Sequence, residues 1–217
     1  MKVMLQSIVM VAASVGLGGC VISERPLVAP DQSTDVSRMR GEWEQVEPLQ
    51  PHLSRVTNVF KEPDEGWPAH VMLSVHTAFL KNGTQDQIKT HVYVAKIGDH
   101  EYLHAIRDGS IGRDLDQAGW QQSTGRQFHI WYMRRTDDEF ALHLVDTQKV
   151  SKHFQQAPWK GLEKWGAGTT EGFWNIKTED VGKVRALLNQ QGPFSVFKDQ
   201  PAVKYRKVVH AIADPCS

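Results

Sequence analysis

Along most of the chain, apolar and polar residues take turns with a period of two. Val71, Leu73 and Val75 alternate with Met72, Ser74 and His76. The run His91-Val92-Tyr93-Val94-Ala95-Lys96-Ile97 is β-branched and aromatic, and Gly98-Asp99 follows it as a turn. Residues 101–107 then read as a returning strand. Residues 128–135 form a strong strand pattern, with Asp137-Asp138 as the turn into residues 140–146. A period of two belongs to strands with one face on a core, and the last pair predicts a hairpin. Residues 173–176 read as a short strand and residues 203–212 as a closing one.

The period changes once. Thr178 stands as a helix N-cap, with Glu179 and Asp180 in the first turn. Val181, Val184, Leu187 and Leu188 fall on one helical face, and Gly192-Pro193 stops the helix. Phe194 and Phe197 are expected to pack beneath it. The pattern predicts a mainly β domain: an antiparallel β-meander that closes into a barrel or strongly curved sheet, with one late α-helix at about 178–191. Closure would remove the exposed sheet edges.

The first residues follow neither period. Met1-Lys2 supplies a positive charge, and residues 3–17 are mostly apolar, interrupted by Gln6 and Ser7. This stretch is short for a membrane span and has the layout of an export signal. It ends in Leu17-Gly18-Gly19-Cys20, which resembles the bacterial lipobox. The resemblance implies a signal peptide at 1–19, cleavage between Gly19 and Cys20, and a diacylglyceryl group with further acylation, such as palmitate, on Cys20. At about 0.8 kcal/mol per buried CH₂, two or three acyl chains hold a protein on a membrane stably. Val21 stands where an Asp would retain such a lipoprotein at the inner membrane. The implied location is therefore the cell envelope, and the outer membrane in a two-membrane organism. Residues 20–40, with Pro26, Pro30 and Asp35, read as a lipidated flexible tether. Residues 41–213 would then form a single globular domain, and 214–217 a tail.

Composition narrows the function classes. The chain has 217 residues, with Lys plus Arg and Asp plus Glu both at 25, and this balance argues against nucleic-acid binding. Seven Trp and eight Phe point to a β-rich core or a ring-lined cavity. Of the two cysteines, acylated Cys20 leaves Cys216 without a partner in the chain.

Gly41-Glu42-Trp43 at the first strand resembles the G-x-W motif of lipocalins and other calycins. The resemblance implies a calycin-like barrel with Trp43 across its floor against an Arg near the last strand, for which Arg206 is the candidate. Such barrels hold one small ligand. His129, Trp131 and Met133 share one strand face, and Tyr102 and His104 another, so these five are candidate pocket residues for a small apolar or amphipathic molecule. No cofactor is implied.

His100-Glu101-Tyr102-Leu103-His104 spells H-E-x-x-H. On a helix, both imidazoles would share a face and grip one Zn²⁺, with the Glu polarising a bound water, as in zinc peptidases. Glu139 or Glu163 would be the third ligand. On a strand the two His would stand about 13 Å apart, at roughly 3.3 Å per residue, and could not share a metal. The flanking Gly98-Asp99 turn and the alternation after it predict the strand. No G-x-S-x-G elbow or P-loop occurs, and Gly166-Ala167-Gly168 lacks a dinucleotide-loop context. The reading is a non-enzymatic, lipid-anchored envelope protein that binds a small ligand. The alternatives are a protein–protein interaction module and a zinc peptidase.

Overall fold

The computed structural model describes residues 21–29, 32–34, 36–47, 49–63, 67, 70–106, 128–156, 162–165 and 173–209. Eight strands close into an antiparallel barrel: β2 (Gly41–Glu47), β3 (Leu53–Lys61), β4 (Met72–Leu80), β5 (Gln85–Ile97), β6 (His100–Ile106), β7 (Phe128–Arg135), β8 (Glu139–His143) and β11 (Val203–Lys207). Pairing of β11 with both β8 and β2 completes the ring. With its late helix, the architecture is that of a calycin-like barrel. The expected β7–β8 hairpin forms around Asp137-Asp138.

Directly opposed residues of an antiparallel ladder lie on the same face. Following the register around the ring therefore sorts inside from outside. Trp43 opposes Asn58, Asn58 opposes His76, and Phe60 opposes Ser74. The inward set continues through Val92 and Val94, Leu103 and Ala105, Trp131 and Met133, Phe140 and Leu142, and Val203 and Tyr205. The apolar members of this set form one contiguous core. On β4 the inward residues are thus Met72, Ser74 and His76. Leu73 and Val75 face outward, although they too are buried.

A second core lies outside the barrel wall. Tyr93, Ala95, Ile97, Tyr102, Ile106, Phe128, Ile130 and Tyr132 point away from the lumen. The late helix, α2 (Val181–Gln191), covers them with Val184 and Leu188, while Val181 and Leu187 pack at its margin. A 3₁₀ turn, Thr178–Asp180, leads into α2, so the first helical turn is tighter than expected. Thr178 does not cap the helix through its side chain. Its backbone N–H and hydroxyl are bonded to Glu24. Gly192, at φ +75, ends α2 by donating its N–H to Leu188 O. Phe197 is buried under the helix as expected, but Phe194 is 37% exposed. A shorter helix, α1 (Thr147–Gln156), was not legible in the pattern. Its Val150 also joins the outer core.

The stretch expected to be a tether makes regular contacts with the barrel at several of its described residues. β1 (Val21–Ser23) lies between β7 and β10 (Phe173–Ile176), and β9 (Leu162–Trp165) pairs beyond β10. Leu27 and Val28 are buried in the outer core. Thr34 N–H donates to Val94 O, and a 3₁₀ turn, Ser37–Met39, brings Val36 and Met39 onto one end of the lumen. Apolar side chains without a period can still be buried when a neighbouring sheet supplies the partner surface. The expected signal peptide at 1–19, Cys20, Cys216 and the expected tail at 214–217 lie outside the described residues.

Candidate functional site

One end of the barrel is plugged. The Trp43 indole N–H donates to Met39 O at 2.8 Å. Its ring meets Phe140 edge-on at 5.0 Å, and Phe140 stacks on Tyr205 at 4.6 Å. Trp43, Phe60, Met72, Met133 and Phe140 are fully buried. At this end Glu101 and Arg135 form a paired, two-bond contact at 2.6 and 3.0 Å.

The cation over Trp43 is Lys207, with Nζ 5.4 Å from the ring centroid, and not Arg206. Strand alternation decides between them. Lys207 opposes Trp43 and shares its face, so Arg206 points outward, where it pairs with Glu139 at 2.9 Å. The expected floor pair is thus corrected by one residue.

The other half of the lumen is polar on one wall. Asn58 stands opposite His76 and Ser74 opposite Thr90, and Gln45, two residues after Trp43 on β2, shares their inward face. Ser74 Oγ donates to Asn58 Oδ1 at 2.8 Å. His76 Nε2 is buried and has no hydrogen-bond partner. Burial also pushes the His76 pKa below its ordinary value, so the ring is neutral at pH 7. The facing wall, from β6 to β8, carries Leu103, Ala105, Trp131 and Leu142 on its inward side. His129 stacks on Trp131 at 5.8 Å. Ile88, Thr90, His129 and Trp131 face inward yet keep part of their surface in solvent, so solvent reaches the lining of this half at these positions.

The five residues expected to line a pocket divide between the two faces. His129, Trp131 and Met133 face the lumen, with Met133 down in the packed floor. Tyr102 and His104 face the outer core instead. His104 stacks on Tyr93 at 4.8 Å and is fully buried. Its Nδ1 lies 3.2 Å from Tyr102 O, and burial lowers its pKa to about 4. The sequence showed that these residues share strand faces. It could not show that β6 is covered on both sides. Gln45, Asn58, Ser74 and His76 were missed because inward polar residues look like solvent-facing ones. Their only sequence signal is parity with Trp43, carried across the ladder.

His100-Glu101-x-x-His104 lies on strand β6. His100 sits at the strand start, edge-on to Tyr132 at 5.8 Å, while His104 is four residues along, stacked on Tyr93. Glu101 points to the opposite face and is held by Arg135. The triad does not converge on a common point. Among the described residues, no group of three His, Cys, Asp or Glu is placed to hold a metal ion.

Comparison with known proteins finds no family, no curated relative and no solved structure that matches this chain.

Proposed function

We propose that this chain is a lipid-anchored cell-envelope protein that binds a small amphipathic molecule in the open half of its barrel, without catalysing a reaction. The observation that carries the reading is the two-sided lumen. A wall of Gln45, Asn58, Ser74, His76 and Thr90 faces a wall of Leu103, Trp131 and Leu142 above a packed floor. A ligand with one hydrogen-bonding edge and one apolar face would satisfy both. The floor is filled by Trp43, Phe60, Met133 and Phe140, so the ligand is short and shallow, not a long acyl chain. The lipobox supports the anchor, and Val21 supports outer-membrane sorting in a two-membrane organism.

A displacement assay tests the reading: a fluorescent amphiphile bound to the purified protein is challenged with envelope lipids and small amphiphiles. Displacement that is lost in both Trp131→Ala and His76→Ala, with unchanged circular dichroism, is the expected result. A probe that does not bind, or binds equally to both variants, overturns it. A second reading, a docking module, is favoured by one observation. Phe194, 37% exposed, sits edge-on to buried Tyr132 at 5.4 Å and beside buried His143 at 5.6 Å, so one aromatic ring is presented on the outer wall. Loss of a co-purifying partner on Phe194→Ser, with ligand binding intact, would select that reading.

A further inference from the structure

Every group on the polar wall of the lumen is neutral. Gln45, Asn58, Ser74 and Thr90 carry amides and hydroxyls, and burial keeps the His76 imidazole unprotonated at pH 7. On this face of β5 the first carboxylate is Asp86, opposite Ala78 and exposed near the strand start. An ionised head group seated against the wall would give up its water with no counter-charge beside it, which is strongly unfavourable.

The wall also offers donors and acceptors together. Ser74 Oγ donates to Asn58 Oδ1 at 2.8 Å, which leaves the Asn58 amide nitrogen as a donor. His76 Nε2 is buried without a hydrogen-bond partner, and a neutral imidazole has one donor and one acceptor nitrogen. The Thr90 hydroxyl does both. A ligand hydroxyl, donor and acceptor at once, matches such a wall. An ester or ether only accepts, and would leave the wall's acceptors unused.

The facing wall is aromatic. Trp131 packs against the lumen core and keeps part of its surface in solvent. The His129 ring lies 5.8 Å from it at 24°, nearly parallel. A pyranose divides its surface in the same way: C–H groups cover its faces and hydroxyls surround its edge. The C–H hydrogens carry slight positive charge, and an indole presents its negative face to them.

We infer that the ligand of this lumen is an uncharged pyranose, seated with a C–H face on Trp131 and its hydroxyls on Asn58, Ser74 and His76. The inference rests on the small-ligand reading above and names the chemistry of that ligand. A free sugar and the exposed end of an envelope glycan share this chemistry.

The test uses the purified full chain. Saturation-transfer NMR and displacement of the fluorescent amphiphile are read with methyl glucoside, methyl galactoside and methyl N-acetylglucosaminide. Glucuronate is the charged counterpart, and a monoacylglycerol carries hydroxyls on an acyl chain. The expected result is saturable binding of at least one neutral pyranoside, several-fold tighter than glucuronate. That binding should be lost in Trp131→Ala and retained in part in Trp131→Phe, which keeps an aromatic face. Tighter binding of an oligosaccharide than of its monomer supports the glycan end, and equal affinity supports the free sugar. An amphiphile displaced by the monoacylglycerol but by no pyranoside overturns the sugar while leaving the small-ligand reading in place. Glucuronate bound as tightly as the neutral sugars overturns the assignment of an uncharged ligand, a comparison that needs no substitution. A protein that binds neither amphiphile nor sugar overturns both readings.

Discussion

Lys207 Nζ stands 5.4 Å from the centre of the Trp43 ring, across the β2–β11 seam that closes the barrel. The contact joins the first strand of the ring to the last. It also caps the aromatic plug formed by Trp43, Phe140 and Tyr205. Arg206, one residue earlier, is 63% exposed at its side chain and contributes through a surface pair with Glu139.

The two neighbouring cations should therefore respond differently to substitution. Lys207→Met is expected to cost about 0.5–1 kcal/mol through the lost cation–π contact. Arg206→Met should cost about 0.5 kcal/mol or less, as exposed ion pairs do. Trp43→Ala should cost about 3–5 kcal/mol, because it opens the floor and leaves Met39 O without its donor. Urea unfolding of the three variants reads the order. An Arg206 effect as large as that of Trp43 would contradict the register argument.

Stability should fall in mildly acidic solution. His104 is buried and neutral, with its pKa lowered to about 4 in the fold, against an ordinary value near 6.5 when unfolded. The unfolded chain binds a proton in this window and the folded chain does not. The contribution is complete above about pH 6.5, shrinks as the pH drops, and is gone below about pH 4; integrated, it is roughly 3 kcal/mol. His76 and His143 are shifted in the same direction by burial and add to the slope. Urea midpoints at pH 7.5 and pH 5 measure the loss, and His104→Phe should reduce it. A midpoint that does not change with pH would refute this account.

Breaking the Glu101–Arg135 pair from one side should be costly. Both side chains are mostly covered, at 15% and 17% exposure, and the contact uses two hydrogen bonds. Glu101→Gln is expected to lose about 1–3 kcal/mol, since the guanidinium keeps its burial without a full partner. The double variant Glu101→Leu with Arg135→Leu should recover part of that loss. A thermodynamic cycle over the two positions measures the coupling. Zinc content should be unaffected by Glu101→Gln or His100→Ala, which metal analysis of the purified variants checks.

The polar wall should cost stability and support binding. Removing both partners of the Ser74–Asn58 hydrogen bond exchanges a buried polar contact for an apolar one. Such a change is often neutral or stabilising when both partners go together. Ser74→Ala combined with Asn58→Leu is therefore expected to keep the unfolding midpoint or raise it, and to abolish probe binding. Retained binding in a stable double variant would remove this wall from the site.

Much of the fold was legible along the chain. Alternation marked β4, the second half of β5, β6, β7 and β8, and Gly98 (φ +59) marked the β5–β6 turn. The shift to a helical period marked α2, and Gly192 its end. Other parts were silent. β1, β9 and α1 carry no strong period, and Leu27 and Val28 sit among prolines. Their placement depends on surfaces from distant parts of the chain. The site was half legible: His129 and Trp131 were read as a shared face, while His76 and Asn58 looked like solvent-facing residues.

Sequence alone thus determined which residues share a face and where strands give way to a helix. Tertiary structure decided which face became the inside. Period two tells only that two sides differ, and β5 to β7 are buried on both, one side by the lumen and the other by α2. It also decided that Lys207, not Arg206, meets Trp43, because one step along a strand turns a side chain to the other face. The ring closes in only one register, and that register is set by packing between strands far apart in the chain.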